Sequence, residues 1–115
     1  MDDSRALYYR LKGSRAVPCS WVEAQPILAD YRGRCLAYEQ TSNGYQVSTS
    51  FLVFDHNLLG DRPILWNTIV SDPQGHQRIL GRYSTEREAR LGHRQIVSFI
   101  SLIGEQGEGG SDGQT

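Results

Sequence analysis

In "VSTSFLVF", residues 47 to 54, polar and apolar side chains alternate before the run turns continuously apolar, and a period of two predicts a β-strand. The run "CLAYEQTS" precedes it, and Asn43-Gly44 lies between the two. That pair favours a type I′ hairpin turn, because both central residues of such a turn take positive φ. A two-residue turn here sets Ser42 against Tyr45, Tyr38 against Thr49 and Leu36 against Phe51, with Val47 and Val53 on the same expected core face. The reverse face carries Glu39, Thr41, Gln46, Ser48 and Ser50, then becomes apolar at Cys35, Leu52 and Phe54. Cover on both sides of the sheet is predicted at that end.

A third strand is predicted over "PILWNTIVS", 63 to 71, from its β-branched and aromatic content. The following "DPQG" has Asp, Pro and Gly at the first, second and fourth places of a type I turn, so "HQRILGRYS" is read as the returning strand. Near the start, "ALYYRL" is read as a further strand at an edge.

Two helices bracket these strands. Thr85 with Glu88 three residues later forms a capping box, and Ala89, Gly92, Ile96, Phe99, Ile100 and Ile103 share one helical face. Arg87, Arg90, Arg94, Ser98 and Ser101 fall on the other. Gly92 costs about 1 kcal/mol against alanine within a helix, which implies a close approach to the sheet with His93 at the rim of the contact. Ser20 and Glu23 open a shorter helix running through Ile27 and Leu28 towards Tyr31 and Gly33, and Pro26 is expected to kink or shorten it. The sum is an α+β domain over residues 1 to 103, an antiparallel β-meander of four to five strands with a short N-terminal helix and a C-terminal helix packed on the sheet. Residues 104 to 115, with five glycines and no large apolar side chain, are expected to form a disordered tail.

Composition narrows the function classes. Twelve basic against thirteen acidic side chains leave a net charge of -1, so no global field attracts nucleic acid or an anionic membrane. No stretch approaches the roughly 20 apolar residues of a membrane span, and the start lacks the apolar core of a signal peptide, which points to the cytoplasm. The spacing of Cys19 and Cys35 fits neither a zinc ribbon nor a redox pair. Two free thiols is the favoured reading, with a disulfide between them as the alternative.

"VSTSFLVFDHN", "PILWNTIV" and "RYSTEREARLGH", in this order, resemble a group of small uncharacterised proteins of bacteriophages, prophages and other bacterial mobile elements. The likeness runs from about Tyr8 to Phe99, and its most specific parts are the strand ending in Asp-His and the Tyr-Ser-Thr helix start followed by Gly-His. The third strand of that group carries an acidic residue where this chain has Asn67, and a glycine-rich stretch where it has "SDPQG". The resemblance implies a phage-related origin in a bacterial host and brings no activity with it. Asn67 also argues against a metal ligand or a base at that position.

Candidate chemistry centres on Asp55 and His56. On a regular strand the two project to opposite faces, whereas a bulge or an early strand end brings them together, with His93 as a second imidazole. The competing structural reading has Asp55 and Asn57 capping backbone amides at a strand end and His56 bonded to a carbonyl. No P-loop, dinucleotide fingerprint, nucleophile elbow or clustered zinc ligands occur, so no cofactor or metal is expected. Two functions follow. The favoured one is a non-catalytic protein-binding domain acting on a host protein or protein complex, such as a CRISPR-Cas defence system. Its expected contacts are Leu58 and Leu59 on an apolar loop tip, with Arg62, Arg87, Arg90 and Arg94. The alternative is a small metal-dependent hydrolase or nuclease built on Asp55, His56 and His93.

Overall fold

The computed structural model describes residues 6 to 114, with side chains described to residue 103. The chain folds as β1 (Tyr8–Lys12), β2 (Arg15–Cys19), α1 (Trp21–Ala29), α2 (Tyr31–Arg34), β3 (Cys35–Gln40), β4 (Gln46–Phe51), β5 (Trp66–Ser71), β6 (Gln77–Tyr83) and α3 (Glu86–Gln114). The last four strands form an antiparallel sheet in sequential order, and β1 and β2 form a separate two-stranded sheet. The α+β architecture read from the sequence is the one observed. The expected tail over 104 to 115 falls outside the residues whose side chains are described.

Both predicted capping boxes are present. In α1 the Glu23 amide donates to Ser20 Oγ at 3.2 Å and the Ser20 amide to Glu23 Oε1 at 2.9 Å. Pro26 sits within α1, which ends at Ala29, and Asp30 then caps the single turn of α2 by accepting from the Gly33 amide at 2.9 Å. In α3 the Glu88 amide donates to Thr85 Oγ1 at 3.1 Å, while Glu88 Oε1 accepts from the Ser84 and Thr85 amides. The buried stripe of α3 is Ala89, His93 and Ile100, with Ile96 and Val97 half-buried; Phe99 and Ile103 of the expected face are exposed instead.

The β3–β4 turn differs from the expected one. Thr41 pairs with Tyr45 through its amide, the Gly44 amide returns to the Thr41 carbonyl at 3.0 Å, and Gly44 alone in this turn takes positive φ, +91°. The connection is therefore a three-residue loop, a tight turn closed by a left-handed glycine, rather than a two-residue type I′ turn. Thr41 Oγ1 fixes it by bonding the Asn43 side chain and accepting from the Tyr45 amide at 3.0 Å. One extra loop residue moves the register by one. Glu39 now opposes Val47 and Ala37 opposes Thr49, so Ala37 and Glu39 meet the core face there and Tyr38 is turned outward, while Leu36, at the irregularity between Cys35 and Ala37, still packs half-buried against the apolar core. The "DPQG" turn has the same form, with the Gly75 amide bonded to the Asp72 carbonyl and Gly75 at φ +93°.

The N-terminal strand does not extend the meander. It pairs with β2 through a two-residue Gly13-Ser14 connection, Gly13 at φ +65°, and joins no strand of the main sheet; a bridge between Tyr8 and Phe54 and the packing of Tyr9 against Phe51 and Trp66 tie it to the sheet end. The chain bends at Val53, the sole non-glycine residue with positive φ among those described, at +73°. A β-branched side chain is strained there, and the surroundings fix it. Val53 is fully buried and its carbonyl accepts from the Tyr9 amide at 2.7 Å.

Two apolar clusters result. One joins the N-terminal hairpin and α1 to the sheet end through Tyr9, Ala24, Phe51, Val53, Leu65, Trp66 and Ala89. The other lies between α3 and the turn end of the sheet, with Val47, Val70 and Ile100. Burying each large side chain contributes roughly 1.5–3 kcal/mol.

Candidate functional site

The three candidate catalytic side chains stand in three different settings. Asp55 is 2% exposed, and its Oδ1 accepts from the Asn57 amide at 2.7 Å and the Ile64 amide at 3.0 Å, which closes the neck of the 57 to 64 loop. His56 is exposed; its ring stacks on Phe54 at 4.3 Å and Nδ1 lies 3.0 Å from the Phe54 carbonyl. Strand β4 ends at Phe51, yet the bend at Val53 still sends the two neighbours to opposite environments. His93 lies beneath α3, away from both, and among the described residues no group of three or more His, Cys, Asp or Glu side chains is arranged to hold a metal ion.

His93 belongs to a buried polar chain that separates the two apolar clusters. Its Nδ1 is 2.7 Å from Thr49 Oγ1, Thr49 Oγ1 is 2.5 Å from Thr68 Oγ1, and Thr68 Oγ1 is 3.0 Å from the Tyr83 hydroxyl. Its Nε2 meets Glu39 Oε1 at 2.5 Å. A carboxylate only accepts, so Nε2–H donates to Glu39, and in the neutral imidazole Nδ1 accepts the Thr49 proton. Thr49 then accepts from Thr68, and Thr68 from Tyr83. Each hydroxyl is satisfied in one direction along the chain. Thr49 and Thr68 are fully buried, so the order hydroxyl, imidazole, carboxylate offers no substrate access to the hydroxyl. The Tyr83 ring also fills the space over Gly81 and Gly92, where a Cβ at either would collide with it. The close approach expected at Gly92 is made to this ring.

Exposed features gather instead around the start of α3. Leu58 and Leu59 are 59% and 103% exposed at the tip of a loop held by the Gly60 amide on the Asn57 carbonyl and by Asn57 Nδ2 on the Arg62 carbonyl at 2.8 Å. Arg62 spans from this loop to Glu88, its Nη2 3.2 Å from both carboxylate oxygens. Partial burial raises the Glu88 carboxyl, but hydrogen bonds from the Ser84 amide and the Arg62 guanidinium, the Arg62 charge and the Thr85 amide outweigh it and hold the group below its ordinary value. An open cleft of about 550 Å³ runs past Asn57, Asp61, Arg62, Arg82 and Glu88. On the other side of the helix start, Arg87, Arg90 and Arg94 line a groove of about 460 Å³ together with Ser14 and Arg15 of the N-terminal hairpin.

Sequence reasoning had placed Leu58, Leu59, Arg62, Arg87, Arg90 and Arg94 as contact residues, and all six are exposed around this one helix start. It had missed Arg15 and the Glu39, Thr49, Thr68 and Tyr83 network. Threonines at inward positions between Val47 and Phe51 and between Trp66 and Val70 were the available signal, because a hydroxyl on a core face requires a partner.

Cys19 and Cys35 are both free, Cys35 exposed and Cys19 half-buried, and desolvation together with the Glu23 charge pushes the Cys19 thiol up against the opposing effect of Arg10. Among the described residues no helix is long and apolar enough to cross a membrane. Comparison of the chain with protein-family models, with curated proteins and with solved structures finds no match.

Proposed function

We propose that this chain is a non-catalytic protein-binding domain, and that its contact surface is centred on the Leu58-Leu59 loop. The observation that carries the reading is two adjacent leucines standing clear of the fold on a loop that is itself tightly held. Holding an exposed apolar pair outward sets up a preorganised contact, which lowers the entropy lost on association. Arg62 sits beside the tip, in the interaction with Glu88, and offers a polar rim of the kind that surrounds apolar anchors in protein interfaces.

The partner we propose is a host protein or protein complex, and the resemblance to small phage and mobile-element proteins supports that setting, with a defence machine such as CRISPR-Cas as its specific form. The separate environments of Asp55, His56 and His93 support the non-catalytic part of the reading. The test is affinity capture from a bacterial lysate with the intact chain and with the Leu58→Asp, Leu59→Asp variant. A protein retained by the first and released by the second is the expected result, and equal retention by both overturns the assignment of this loop.

A further inference from the structure

The groove beside the start of α3 carries a charge opposite to that of the chain as a whole. Arg87, Arg90 and Arg94 recur at helical spacing on one face of α3, and Arg15, fixed by its register opposite Lys12 in the hairpin, closes the groove from the other side. All four are exposed. Glu86 is the one acidic residue in the lining, and it is already bonded to Arg90 at 2.9 Å. Among the described residues Arg15, Arg87 and Arg94 have no carboxylate partner, in a chain whose net charge is -1.

We infer that this groove seats a short acidic segment of a protein partner, whose carboxylates are gripped by Arg15, Arg87 and Arg94. The inference rests on the protein-binding reading above and gives it a partner chemistry. Guanidinium presents a planar fork that matches a carboxylate in two parallel bonds, and arginines set on a helix and a hairpin are spaced more firmly than charges on a loose loop. Nucleic acid is the poorer fit. A phosphate backbone needs a continuous basic track, but this groove is short, and in the neighbouring cleft across the helix start Asp61 and Glu88 offset Arg62 and Arg82. The same helix start lies between the groove and the Leu58-Leu59 loop, so a protein that presses an apolar patch on one side reaches the arginines on the other.

The test is fluorescence anisotropy of a labelled decaglutamate peptide titrated with the full chain. Binding is expected at about 50 mM salt and should weaken about tenfold or more by about 300 mM, because exposed charge pairs are screened. Arg87→Glu with Arg94→Glu should abolish it. Both arginines are exposed and glutamate is a good helix former, so the double variant should fold; an Arg87→Gln, Arg94→Gln pair, with its thermal midpoint measured alongside, gives the same reading without charge reversal. Arg32→Glu, an exposed arginine on α2 outside the groove, should retain binding. Absence of binding at low salt, an equal loss in Arg32→Glu, or tighter binding of a duplex DNA of matched charge overturns the inference. If the peptide fails while capture through Leu58 and Leu59 persists, the groove assignment alone is wrong; failure of both removes the protein-binding reading as well.

Discussion

His93 Nε2 and Glu39 Oε1 stand 2.5 Å apart, a histidine 3% exposed bonded to a carboxylate whose side chain is 55% exposed. The contact ties the second turn of α3 to the edge strand β3 and ends a line of bonded hydroxyls that runs through Thr49 and Thr68 to Tyr83. Its inner and outer ends should respond differently to mutation. Thr49→Val keeps the shape but deprives His93 and Thr68 of their shared partner in a dry site, and should cost about 1–3 kcal/mol in urea unfolding. Glu39→Gln leaves an acceptor oxygen for His93 at a solvated rim and should cost less. An equal loss in the two variants would show that the buried hydroxyl is not what matters.

Asp55 and His56, adjacent in sequence, should differ as sharply. Asp55→Ala removes a buried acceptor of two amides and opens the neck of the loop, for a loss of about 1.5–3 kcal/mol or more. His56→Ala gives up one exposed bond and a stack on Phe54, about 0.5–1.5 kcal/mol at most. Thermal denaturation of both variants with and without zinc, manganese or magnesium checks the pair together. A metal-induced rise that vanishes in both His56→Ala and His93→Ala would make the hydrolase reading the leading one, since a metal held only by the native state raises its stability.

Gly44 and Gly75 occupy equivalent places in the two hairpin loops, at φ +91° and +93°. A Cβ at Gly75 meets open space, but one at Gly44 lies 3.3 Å from Pro73 Cγ in the neighbouring turn. Gly75→Ala should cost about 1 kcal/mol from backbone strain alone, and Gly44→Ala more. Equal midpoints in chemical denaturation would mean that the Pro73 contact yields without cost.

The position of Glu39 explains where sequence reading succeeded and where it stopped. Both capping boxes, the "DPQG" turn and the inward face of β4 were legible because each depends on residues close in sequence. The face of β3 was not. Asn43-Gly44 fits a two-residue turn as well as a three-residue one, and the choice fell to Thr41, whose hydroxyl holds Asn43 and the Tyr45 amide. That single added residue turned Tyr38 outward and brought Glu39 to His93, so the network could not be read from a hairpin one position out of register. The β1–β2 hairpin has a local signal of the same kind, Gly13-Ser14 between "YYRLK" and "RAVPC", and Pro18 is tolerated on its second strand because both strands of a two-stranded sheet are edges.

Acid should act on the loop through Glu88. Its folded value is depressed, so its contribution is present above the ordinary carboxylate pKa of about 4.3 and is lost as pH falls through the lower folded value. Glu88→Gln retains an oxygen for the Ser84 and Thr85 amides but loses the charge facing Arg62. The variant should therefore melt below the parent at neutral pH, and the two should converge as the pH drops below about 4. A gap that stays constant to low pH would show that the Arg62 interaction contributes nothing.

The first apolar cluster draws on positions from Tyr9 to Ala89. A chain emerging from the ribosome N-terminus first thus releases its hairpin and α1 well before Phe51, Trp66 and Ala89 exist to receive them. The strained bend at Val53 is secured only when the Tyr9 amide reaches its carbonyl, a contact that closes a long stretch of chain. Early in synthesis the N-terminal segment must wait with its apolar side chains unburied, and the arrival of Ala89 in the first turn of α3 is the event that ends the wait. Fragments that stop before residue 89 should consequently accumulate as chaperone clients rather than as smaller folded domains.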